Sequence, residues 1–592
     1  MTNEQILLFA IMGAALVFFV WGRIRYDAVA VLALLVAVFA GIVPAGLAFS
    51  GFGHPAVITV AAILILSGAL QGSGIVNPIV RWLKPLGGHP HLQVLAIVGL
   101  GAACSAFMNN VGALALILPI AVQSAYAAGR SPSQLLMPLS FGTLLGGLTT
   151  LIGTPPNIII ASIRASHNGQ PFGMFDFAPV GVGVAAAGVA FIALIGWRLL
   201  PAREKAVDEN EALYHVEDYI TEVRLPEESP YVGLRLIDLE SLGQGDVVVV
   251  ALVRRKDRML APSGYLRLQA GDILILEADT AALQKIVEEA KLDAIGATHM
   301  SLDNLRSDRV AVIEAVIAPG SQMEGRTARS LRLHSRFGLN MLGFARQGQR
   351  VAERLGRVRF AAGDVLLLQG DRGGISEAIA TLGCLPLASR EIALHRQRVA
   401  PLTPAVFIVA IFGVVTGILP PHIAFVAAVV ALVVVGEINL RDMYDSVDWP
   451  VIVLLAAMIP IGVALETTGA TGVVSQPIIA LQGQVPLWTL LALLMVATML
   501  LSDVMNNAAT AVVMAPIGIS IAQGLGVNAD PFLMAVAVGA SSTYLTPIGH
   551  QSNLLVMGPG GYHFSDYWRM GLPLDILIVA VAVPLIVIVW PF

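Results

Sequence analysis

Charged residues and cysteines are scarce in this chain of 592 residues. Only 13% of its residues are charged, whereas 56% are hydrophobic. Such a surplus of apolar side chains excludes an ordinary soluble surface and is typical of proteins that lie in a lipid bilayer. The net charge of −5 leaves no basic surface for nucleic acid. The two cysteines, Cys104 and Cys384, offer neither a disulfide framework nor the spacing of a zinc site.

Signatures of several other protein classes are also missing from the sequence. The lack of a Gly-x-x-x-x-Gly-Lys-[Ser/Thr] loop disfavours an ATP-driven pump, and the lack of a Thr-Val-Gly-Tyr-Gly filter disfavours a potassium channel. No nucleophile–base arrangement stands out, so an enzyme is not expected. No Gly-x-Gly-x-x-Gly follows a strand, so no organic cofactor is expected. The first residues, Met-Thr-Asn-Glu-Gln, lack the basic start of a cleavable signal.

What the chain has in abundance is long apolar runs. Ten are long enough, at about 20 residues, to cross a bilayer. They are approximately 5–22, 28–48, 55–76, 135–163, 179–200, 403–419, 422–436, 450–468, 532–558 and 573–591. Two further runs, 91–126 and 488–523, are interrupted by Met-Asn-Asn. Because asparagine facing lipid is costly, we predict that these two runs form re-entrant hairpins whose tips line a cavity.

The apolar halves are copies of each other. Pro55 to Gly74 aligns with Pro450 to Gly469 at an offset of 395 residues. The pair Asn109-Asn110 recurs as Asn506-Asn507 at an offset of 397, and 152–157 recurs as 548–553 at an offset of 396. Five crossings in each half would invert one copy relative to the other, as in many secondary transporters.

We therefore predict an all-α polytopic membrane protein with two inverted repeats, 1–202 and 399–592. Each repeat would contain five transmembrane helices and one re-entrant hairpin.

The positive charges predict an orientation. Of the 35 Lys and Arg residues, 26 lie within 203–400. If the N-terminus is outside, eight of the other nine fall on the cytoplasmic side, namely Arg23, Arg25, Arg81, Lys84, Arg130, Arg198, Arg441 and Arg569, and only Arg164 falls outside. This bias places 201–402 in the cytoplasm.

The polar middle is itself a tandem. Ser229, Gly233, Arg254 and the run 270–276 recur 92 residues later as Ser321, Gly325, Arg346 and 362–368. Short and alternating apolar runs predict strands, and 280–290 predicts a helix. We expect two inserted cytoplasmic α+β domains, 215–295 and 305–388.

The hairpin tips are the first candidate site. Asn109, Asn110, Asn506 and Asn507 can offer carboxamide oxygens to a cation and NH₂ groups to an anion without bringing charge into the membrane. The helix that resumes after each tip points its positive end at the same place. The alternative is that these asparagines only cap the hairpin helices.

The second candidate site consists of two broken helices, 149–157 and 541–553. Proline and glycine release backbone carbonyls there, and such carbonyls with hydroxyl and amide oxygens suit Na⁺. The alternative is an ordinary proline kink. Asp503 and His550 are ionisable near the inferred core, so they are candidate proton carriers.

The pattern of hairpin tip, broken helix and duplicated halves resembles the divalent anion/sodium symporter family, over 1–200 and 400–592. The middle modules resemble the ligand-binding C-terminal half of potassium-uptake regulators (TrkA-C type). In the divalent anion/sodium symporter family each hairpin carries Ser-Asn-Thr, which contributes to Na⁺ and anion binding. The matching residues here are Asn109-Asn110-Val111 and Asn506-Asn507-Ala508. The central asparagine is retained and the hydroxyls are absent.

The resemblance implies two overlapping sets of site residues. The substrate set is Asn109, Asn110, Asn506, Asn507, Thr154, Pro155 and Ser552. The Na⁺ set is Asn110, Gly153, Asn157, Asn507, Gly549 and Asn553.

The expected activity is Na⁺-coupled symport of a small divalent anion by alternating access, with sulfate first and a dicarboxylate second. A Na⁺/H⁺ antiporter or an arsenite-type permease of the same superfamily is the alternative. We further expect a homodimer in the inner membrane of a bacterium. A nucleotide-type ligand would bind the middle modules, unless those modules only dimerise the protein.

Overall fold

The structure is a computed structural model. It describes residues 1–21, 24–73, 89–201, 220–243, 247–254, 257–260, 262, 264–278, 280–296, 310–346, 349–350, 358–371, 374–388, 402–470, 472–473 and 485–592. Three residues of the orientation argument, Arg23, Arg81 and Lys84, lie outside this set. So does one edge of each of the four predicted domains, at 202, 215–219, 305–309 and 399–401. The parts of the middle segment at 297–304 and 389–398 also lie outside the described residues.

Apolar helices make up both ends of the chain. In the first part these are α1 (Asn3–Trp21), α2 (Tyr26–Phe39), α3 (Pro55–Gly72), α4 (Pro90–Ser105), α5 (Asn110–Ala127), α6 (Leu136–Gly147), α7 (Pro155–Asn168) and α8 (Ala178–Leu194). In the run predicted at 28–48 the α-helix ends at Phe39, because Gly41 adopts a left-handed φ of +75° and Pro44 follows, and a 3₁₀ helix begins at Ala45.

The described part of the middle segment contains five short helices. They are α9 (Leu236–Glu240), α10 (Thr280–Ala290), α11 (Ala328–Leu331), α12 (Leu333–Phe337) and α13 (Ile375–Thr381). The last part of the chain is again apolar and helical. It comprises α14 (Leu402–Val415), α15 (Pro421–Val435), α16 (Leu440–Asp445), α17 (Trp449–Thr467), α18 (Leu487–Ser502), α19 (Asn507–Leu525), α20 (Asp530–Ser541), α21 (Gln551–Met557) and α22 (Tyr567–Val589).

Several helices of the described chain suit a bilayer. Four are both apolar and long enough to cross one, namely Ala45–Leu70, Asn110–Ala127, Asn507–Leu525 and Phe564–Val589. Nine shorter helices in the described ranges are also apolar. Many large apolar side chains are exposed on them, including Phe39, Val434 and Ile588, as expected of a lipid-facing surface. The protein is therefore a mostly helical membrane protein.

Two short helices form the centre of the helical part. Every residue of α6 and of α20 is buried. Helix α6 packs on α4, and α20 packs on α18 in the same way. Each is followed by a non-helical break, at 148–154 and 542–550, before the chain resumes as α7 and α21. The breaks confirm the interruptions that Pro and Gly predicted within 149–157 and 541–553.

The start of α4 and the end of α5 lie close to each other. The Arg130 guanidinium donates to Gln93 Oε1 at 2.9 Å, which joins the end of α5 to the start of α4. Arg198, after α8, lies 2.9 Å from His91 Nε2 on the same turn of α4. Two basic residues assigned to one side of the membrane by charge are thus neighbours in space.

Two five-stranded antiparallel sheets occupy the middle segment. The strands are β1 (Ile220–Arg224), β2 (Val247–Arg254), β3 (Asp257–Leu260), β4 (Ile273–Ala278), β5 (Asp293–Gly296), β6 (Val310–Ile317), β7 (Asn340–Arg346), β8 (Gln349–Arg350), β9 (Val365–Asp371) and β10 (Cys384–Ala388). Their orders, β3-β2-β4-β1-β5 and β8-β7-β9-β6-β10, are the same.

The residues that repeat in the two modules make the same bonds. Arg254 forms a bidentate ion pair with Asp272 at 2.7–2.8 Å, and Arg346 does so with Asp364 at 2.8 Å. Ser229 donates to the Ala290 carbonyl at 2.6 Å, as Ser321 does to that of Leu382. These residues are therefore repeated because each makes the same structural bond within its own module.

The second sheet touches the helical core. Its strand β10 contacts α5. The turn before β9 places Gly363 so near Gly558 that a Cβ on Gly558 would lie 2.0 Å from the Gly363 carbonyl oxygen. A Cβ on Gly363 would lie 2.8 Å from the Leu554 carbonyl oxygen. The second module therefore packs directly on the helix that follows the second break.

Candidate functional site

The first asparagine of each tip caps the helix that follows. The Asn109 side-chain oxygen accepts from the Val111 N–H at 3.3 Å, and Asn506 Oδ1 accepts from the Ala508 N–H at 2.9 Å. An N-cap side chain satisfies a helix N–H that would otherwise have no partner. The capping alternative therefore accounts for these two contacts of Asn109 and Asn506.

The second asparagine of the first tip is different. Asn110 is the first residue of α5, it is 2% exposed, and its side chain points away from its own helix. One end of its amide lies 2.5 Å from Ser105 Oγ, and the other end lies 3.4 Å from His550 Nε2. The end near Ser105 also lies 3.2 Å from the Thr143 carbonyl oxygen and 3.3 Å from that of Gly153.

Two orientations of this amide have different consequences. If the nitrogen faces Ser105, its two N–H groups are directed at the Ser105, Thr143 and Gly153 oxygens, and the amide oxygen faces His550. If the oxygen faces Ser105, four oxygens converge: those of Ser105, Asn110, Thr143 and Gly153. In that orientation the Ser105 hydroxyl donates to Asn110 Oδ1, and the other two oxygens are carbonyls. Neutral oxygens of this kind are the ligands that a partly dehydrated alkali cation needs. Two predicted Na⁺ ligands, Asn110 and Gly153, are thus brought together.

The first break is held tightly against this tip. The Thr150 hydroxyl donates to the Ala106 carbonyl at 2.5 Å and accepts from the Gly153 N–H at 3.1 Å. A Cβ on Gly153 would lie 2.5 Å from the Gly147 carbonyl oxygen, so only glycine fits there. Asn157 donates to the Gly147 and Thr150 carbonyls at 3.3 and 2.8 Å.

The second break repeats these bonds. Asn553 donates to the Thr543 and Thr546 carbonyls at 2.8 and 3.3 Å, and the Thr546 hydroxyl donates to the Asp503 carbonyl at 2.6 Å. Each partner lies 396 or 397 residues after its counterpart in the first break. A Cβ on Gly549 would lie 2.7 Å from the Ser502 carbonyl oxygen, so Gly549 also lies against its tip.

The second tip departs from this symmetry. Asn507 Oδ1 accepts from the Ala508 N–H at 2.8 Å, so the oxygen that was predicted to bind Na⁺ is directed to its own helix. Asp503 stands where Ala106 stands in the first tip, and its Oδ1 accepts from the Leu545 N–H at 3.1 Å. The first tip is therefore the better assembled of the two cation candidates.

The two halves meet at the site. Ser140 Oγ donates to Asn553 Oδ1 at 2.8 Å. His550 Nδ1 accepts from the Ser552 N–H at 3.1 Å, so in the neutral ring Nε2 carries the hydrogen and faces Asn110, whose oxygen accepts from it only when the amide nitrogen faces Ser105. His550, predicted as a proton carrier, is thus the N-cap of α21 and a bridge to the first half.

Several buried oxygens of the predicted set have no partner among the described residues. They are Thr154 Oγ1, Asn157 Oδ1 and Ser552 Oγ, together with Thr543 Oγ1 nearby. A buried polar atom without a partner costs about 1–3 kcal/mol, so such a group is expected to face a ligand or water. Pro155 offers no polar side-chain atom, and it starts α7 at the first turn.

The oxygen atoms of this site are suitable ligands for Na⁺. They are neutral hydroxyl, amide and carbonyl oxygens. No group of three or more His, Cys, Asp or Glu that could hold a metal ion is found in the residues that the structure describes. An uncharged oxygen set favours a weakly hydrated monovalent ion over the divalent ions that carboxylate-rich sites select.

Sequence reasoning did not find all of the site. It missed Ser105 and the α6 residues Ser140 and Thr143, which lie in apolar runs. The repeat held one signal, since Ser105 aligns with Ser502 at the same offset of 397 as the asparagines.

Comparisons with known proteins agree on a transporter. The profile of the citrate transporter family, CitMHS, matches residues 16–539 and 486–592. An uncharacterized transporter of Synechocystis is 34% identical over 588 residues, covering 98% of this chain and 96% of that one. The uncharacterized transporter YfbS of Escherichia coli is 30% identical over 619 residues and 100% of both chains. Sodium/sulfate cotransporter 1 of Chlamydomonas reinhardtii is 27% identical over 57% of this chain and 40% of that protein.

Proposed function

This chain belongs to the citrate transporter family CitMHS, and from that premise we propose that it is a Na⁺-coupled symporter of a small divalent anion, with sulfate as the first substrate. The observation that carries the proposal is the group of neutral oxygens from Ser105, Thr143 and Gly153 around the Asn110 amide, whose own oxygen would join them once the amide turns away from His550. A transporter that couples to Na⁺ must hold the bare ion with such oxygens inside the membrane.

The coupling ion would bind between the first tip and the first break. The Asn110 and Gly153 oxygens, with those of Ser105 and Thr143, would form most of its shell. The unpartnered Asn157 Oδ1 lies in the first turn of α7, directly after the same break, and supports a contribution from that residue. In the second half, Gly549, Asn553 and Asn507 would form the related site once Asn507 turns away from its own helix.

The substrate would bind at the N-termini of the helices that follow the tips and the breaks. Helices α5, α7 and α19 all start at the tips and breaks, and each N-terminus carries about half a positive charge. The residues 105–111, 148–157, 502–508 and 542–553 include no Lys or Arg. A compact anion is well served by N–H groups and by the hydroxyls of Thr154 and Ser552, with Asn109 and Asn506 at the rim.

Sulfate is preferred to a carboxylate for two reasons. Relatives in Chlamydomonas reinhardtii are named sodium/sulfate cotransporters. Val111 and Ala508 replace hydroxyl residues that the divalent anion/sodium symporters carry, and multidentate carboxylate binding usually relies on Arg or hydroxyl donors. A dicarboxylate is the second choice, and the family name adds the tricarboxylate citrate as a candidate.

The bonds repeated between the two breaks support two inverted repeats that work by alternating access. The alternative is a Na⁺/H⁺ antiporter or an arsenite-type permease, in which Asp503 would titrate. The carboxyl group of Asp503 is 3% exposed and keeps one oxygen without a partner among the described residues, which is the observation that favours this alternative.

The middle modules would act as TrkA-C-like regulators on the cytoplasmic side of a bacterial inner membrane, in a homodimer. The contact of Gly363 with Leu554 and Gly558 supports a role in transport, because α21 carries Ser552 and Asn553. A nucleotide-type ligand of these modules would change transport only if it bound one transport state more tightly than the other.

Uptake into proteoliposomes tests the proposal. Radiolabelled sulfate, phosphate, arsenite, succinate and citrate would each be supplied with Na⁺ or with choline at equal ionic strength. We expect saturable uptake of sulfate in Na⁺ only. Proton efflux driven by Na⁺ without any anion would support the antiporter, and uptake of arsenite alone would support the permease.

A further inference from the structure

A cavity lies among the four helices α3, α7, α17 and α19, away from the oxygens around Asn110. Its volume is about 600 Å³ including its open mouth, which is in the range of pockets that hold small molecules. Three polar residues line it, namely His54, Ser162 and Ser166, and the rest of the lining is apolar apart from Gly462. The cavity therefore has a polar part and an apolar part.

The polar part lies where two helices end. The Ser162 hydroxyl lies 3.3 Å from His54 Nδ1, and the Ser166 hydroxyl donates to the Ser162 carbonyl at 3.2 Å. His54 is the N-cap of α3, and Ser166 belongs to the last turn of α7, which ends at Asn168. The ends of apolar helices are expected at the bilayer surface, so a polar head group there would stay near water.

The apolar part lies further along the same helices. Its lining includes Ile159 of α7, Met458 of α17 and Val512 of α19. Val463, which also lines the cavity, is 51% exposed, so this wall borders the apolar outer surface of the helical part. That surface faces lipid, and a molecule dissolved in the bilayer can therefore reach the cavity.

His54 supplies a hydrogen-bond donor to the polar part. Its Nδ1 accepts from the Ala56 N–H at 3.3 Å, so in the neutral ring Nε2 carries the hydrogen. Nε2 has no hydrogen-bond partner among the described residues. The lining contains no Asp or Glu, so no acidic group there repels a carboxylate. The head group that fits this end must accept a hydrogen bond.

We propose that this cavity binds a fatty acid from the membrane, with its carboxyl group at His54 and its hydrocarbon chain between α7 and α17. A carboxyl oxygen accepts from the Nε2–H, and a carboxyl hydrogen, when present, can be donated to a serine oxygen. A single alkyl chain matches the apolar part, and its burial there is favourable. The site is separate from the candidate Na⁺ and anion sites.

The bound fatty acid would contact helices that carry the candidate transport site. Helix α7 begins at Pro155 directly after the first break, and α19 begins at Asn507 in the second tip. Helices α3 and α17 contain none of the predicted site residues, and each packs on both or one of the first two helices. A fatty acid among these four helices would change transport only if it bound one transport state more tightly than the other.

Photolabelling of the purified full chain in phosphatidylcholine vesicles tests the site without Na⁺ or sulfate. A fatty acid with a diazirine in the middle of its chain would be irradiated, and the labelled residues would be mapped by mass spectrometry. We expect label on α7 and α17, at residues such as Ile163 and Met458. An excess of unlabelled dodecanoic acid should suppress this label, and an equal excess of dodecane should not.

Two variants test the two parts of the cavity. His54→Asp keeps an oxygen that caps α3 but lacks the ring N–H and repels a carboxylate, so labelling should fall about tenfold or more. Gly462→Leu fills the cavity and should abolish the label. Its control is Gly13→Leu on α1, where an added Cβ also meets no atom within 4 Å but no cavity lies, and labelling there should equal that of the wild type.

Three outcomes would overturn the fatty-acid site. The first is label spread over the lipid-facing helices without a maximum on α7 and α17. The second is unchanged labelling in Gly462→Leu or, if that variant does not fold, in His54→Asp. The third is suppression by dodecane as strong as that by dodecanoic acid, which would show that no head group is recognised. Each of these results would leave the proposed Na⁺-coupled transport standing, because the measurement involves neither Na⁺ nor the anion.

Discussion

Adjacent asparagines in the first tip have different physical roles. Asn109 accepts from the Val111 N–H and so completes the start of α5, whereas Asn110 contacts Ser105, Gly153 and His550. Sequence spacing identified the pair but could not separate the two roles, because both residues precede the same helix. Only the direction of each side chain separates a cap from a ligand.

Substitution of Asn109 should therefore affect stability more than ion binding. Asn109→Ala removes the cap and should destabilise the protein by about 1 kcal/mol, and Asn109→Ser should restore most of it because serine also caps. The thermal unfolding midpoint in detergent measures this. Apparent Na⁺ affinity should change less than threefold in both variants.

Substitution of Asn110 should have the opposite effect. Asn110→Ala deletes one oxygen from a charged-group contact worth about 1.5–3 kcal/mol, so apparent Na⁺ affinity should fall about ten- to a hundredfold. Asn507→Ala should lower it less, because Asn507 is directed to its own helix. Unchanged Na⁺ dependence of uptake in Asn110→Ala would show that the ion does not bind at this tip.

At the scale of elements, the breaks were predictable and their packing was not. Pro155, Gly153 and Gly549 marked the interruptions, because proline lacks the N–H that a helix interior needs and glycine weakens a helix. The approach of Gly153 to Gly147, and of Ser140 to Asn553, joins residues from separate elements. No local pattern in one sequence carries that information.

The turn before β9 allows a matched test of the second module. Gly271 and Gly363 share the context Ala-Gly-Asp and left-handed φ values of +86° and +84°, but only Gly363 has an atom near its missing Cβ. Both Gly271→Ala and Gly363→Ala should strain their turns equally.

Only Gly363→Ala should also change the rate of transport, because it pushes against Leu554 in α21. Uptake per correctly folded molecule, measured for both variants against the wild type, decides between a regulatory module and a dimerising one. Equal rates in the two variants would show that the contact does not influence transport.

At the scale of the whole molecule, composition was sufficient for the class. The apolar content predicted a membrane protein, and the transporter family confirms it. The two middle sheets were expected from alternating runs and a 92-residue repeat, whose members hold the same ion pairs in both modules. The docking of one module on α5 and α21 depends on long-range contacts and was not predictable.

The orientation has a direct test. In a Cys104→Ala background, Asn3→Cys should react with a membrane-impermeant maleimide in intact cells, and Gln322→Cys should react only after lysis. Both positions are exposed. Burial raises the pKa of the Cys384 thiol to about 12, so the native residue should stay unlabelled at neutral pH. Labelling of Gln322→Cys but not of Asn3→Cys in intact cells would reverse the topology.

The central claim is that Na⁺ drives anion transport through this chain. Its most direct test is the accumulation of radiolabelled sulfate in proteoliposomes with equal pH on both sides and the membrane potential clamped. We predict accumulation above equilibrium with an inward Na⁺ gradient, none when Na⁺ is equal on both sides, and a much weaker Na⁺ response in Asn110→Ala. Equal sulfate accumulation when choline replaces Na⁺ would contradict the account.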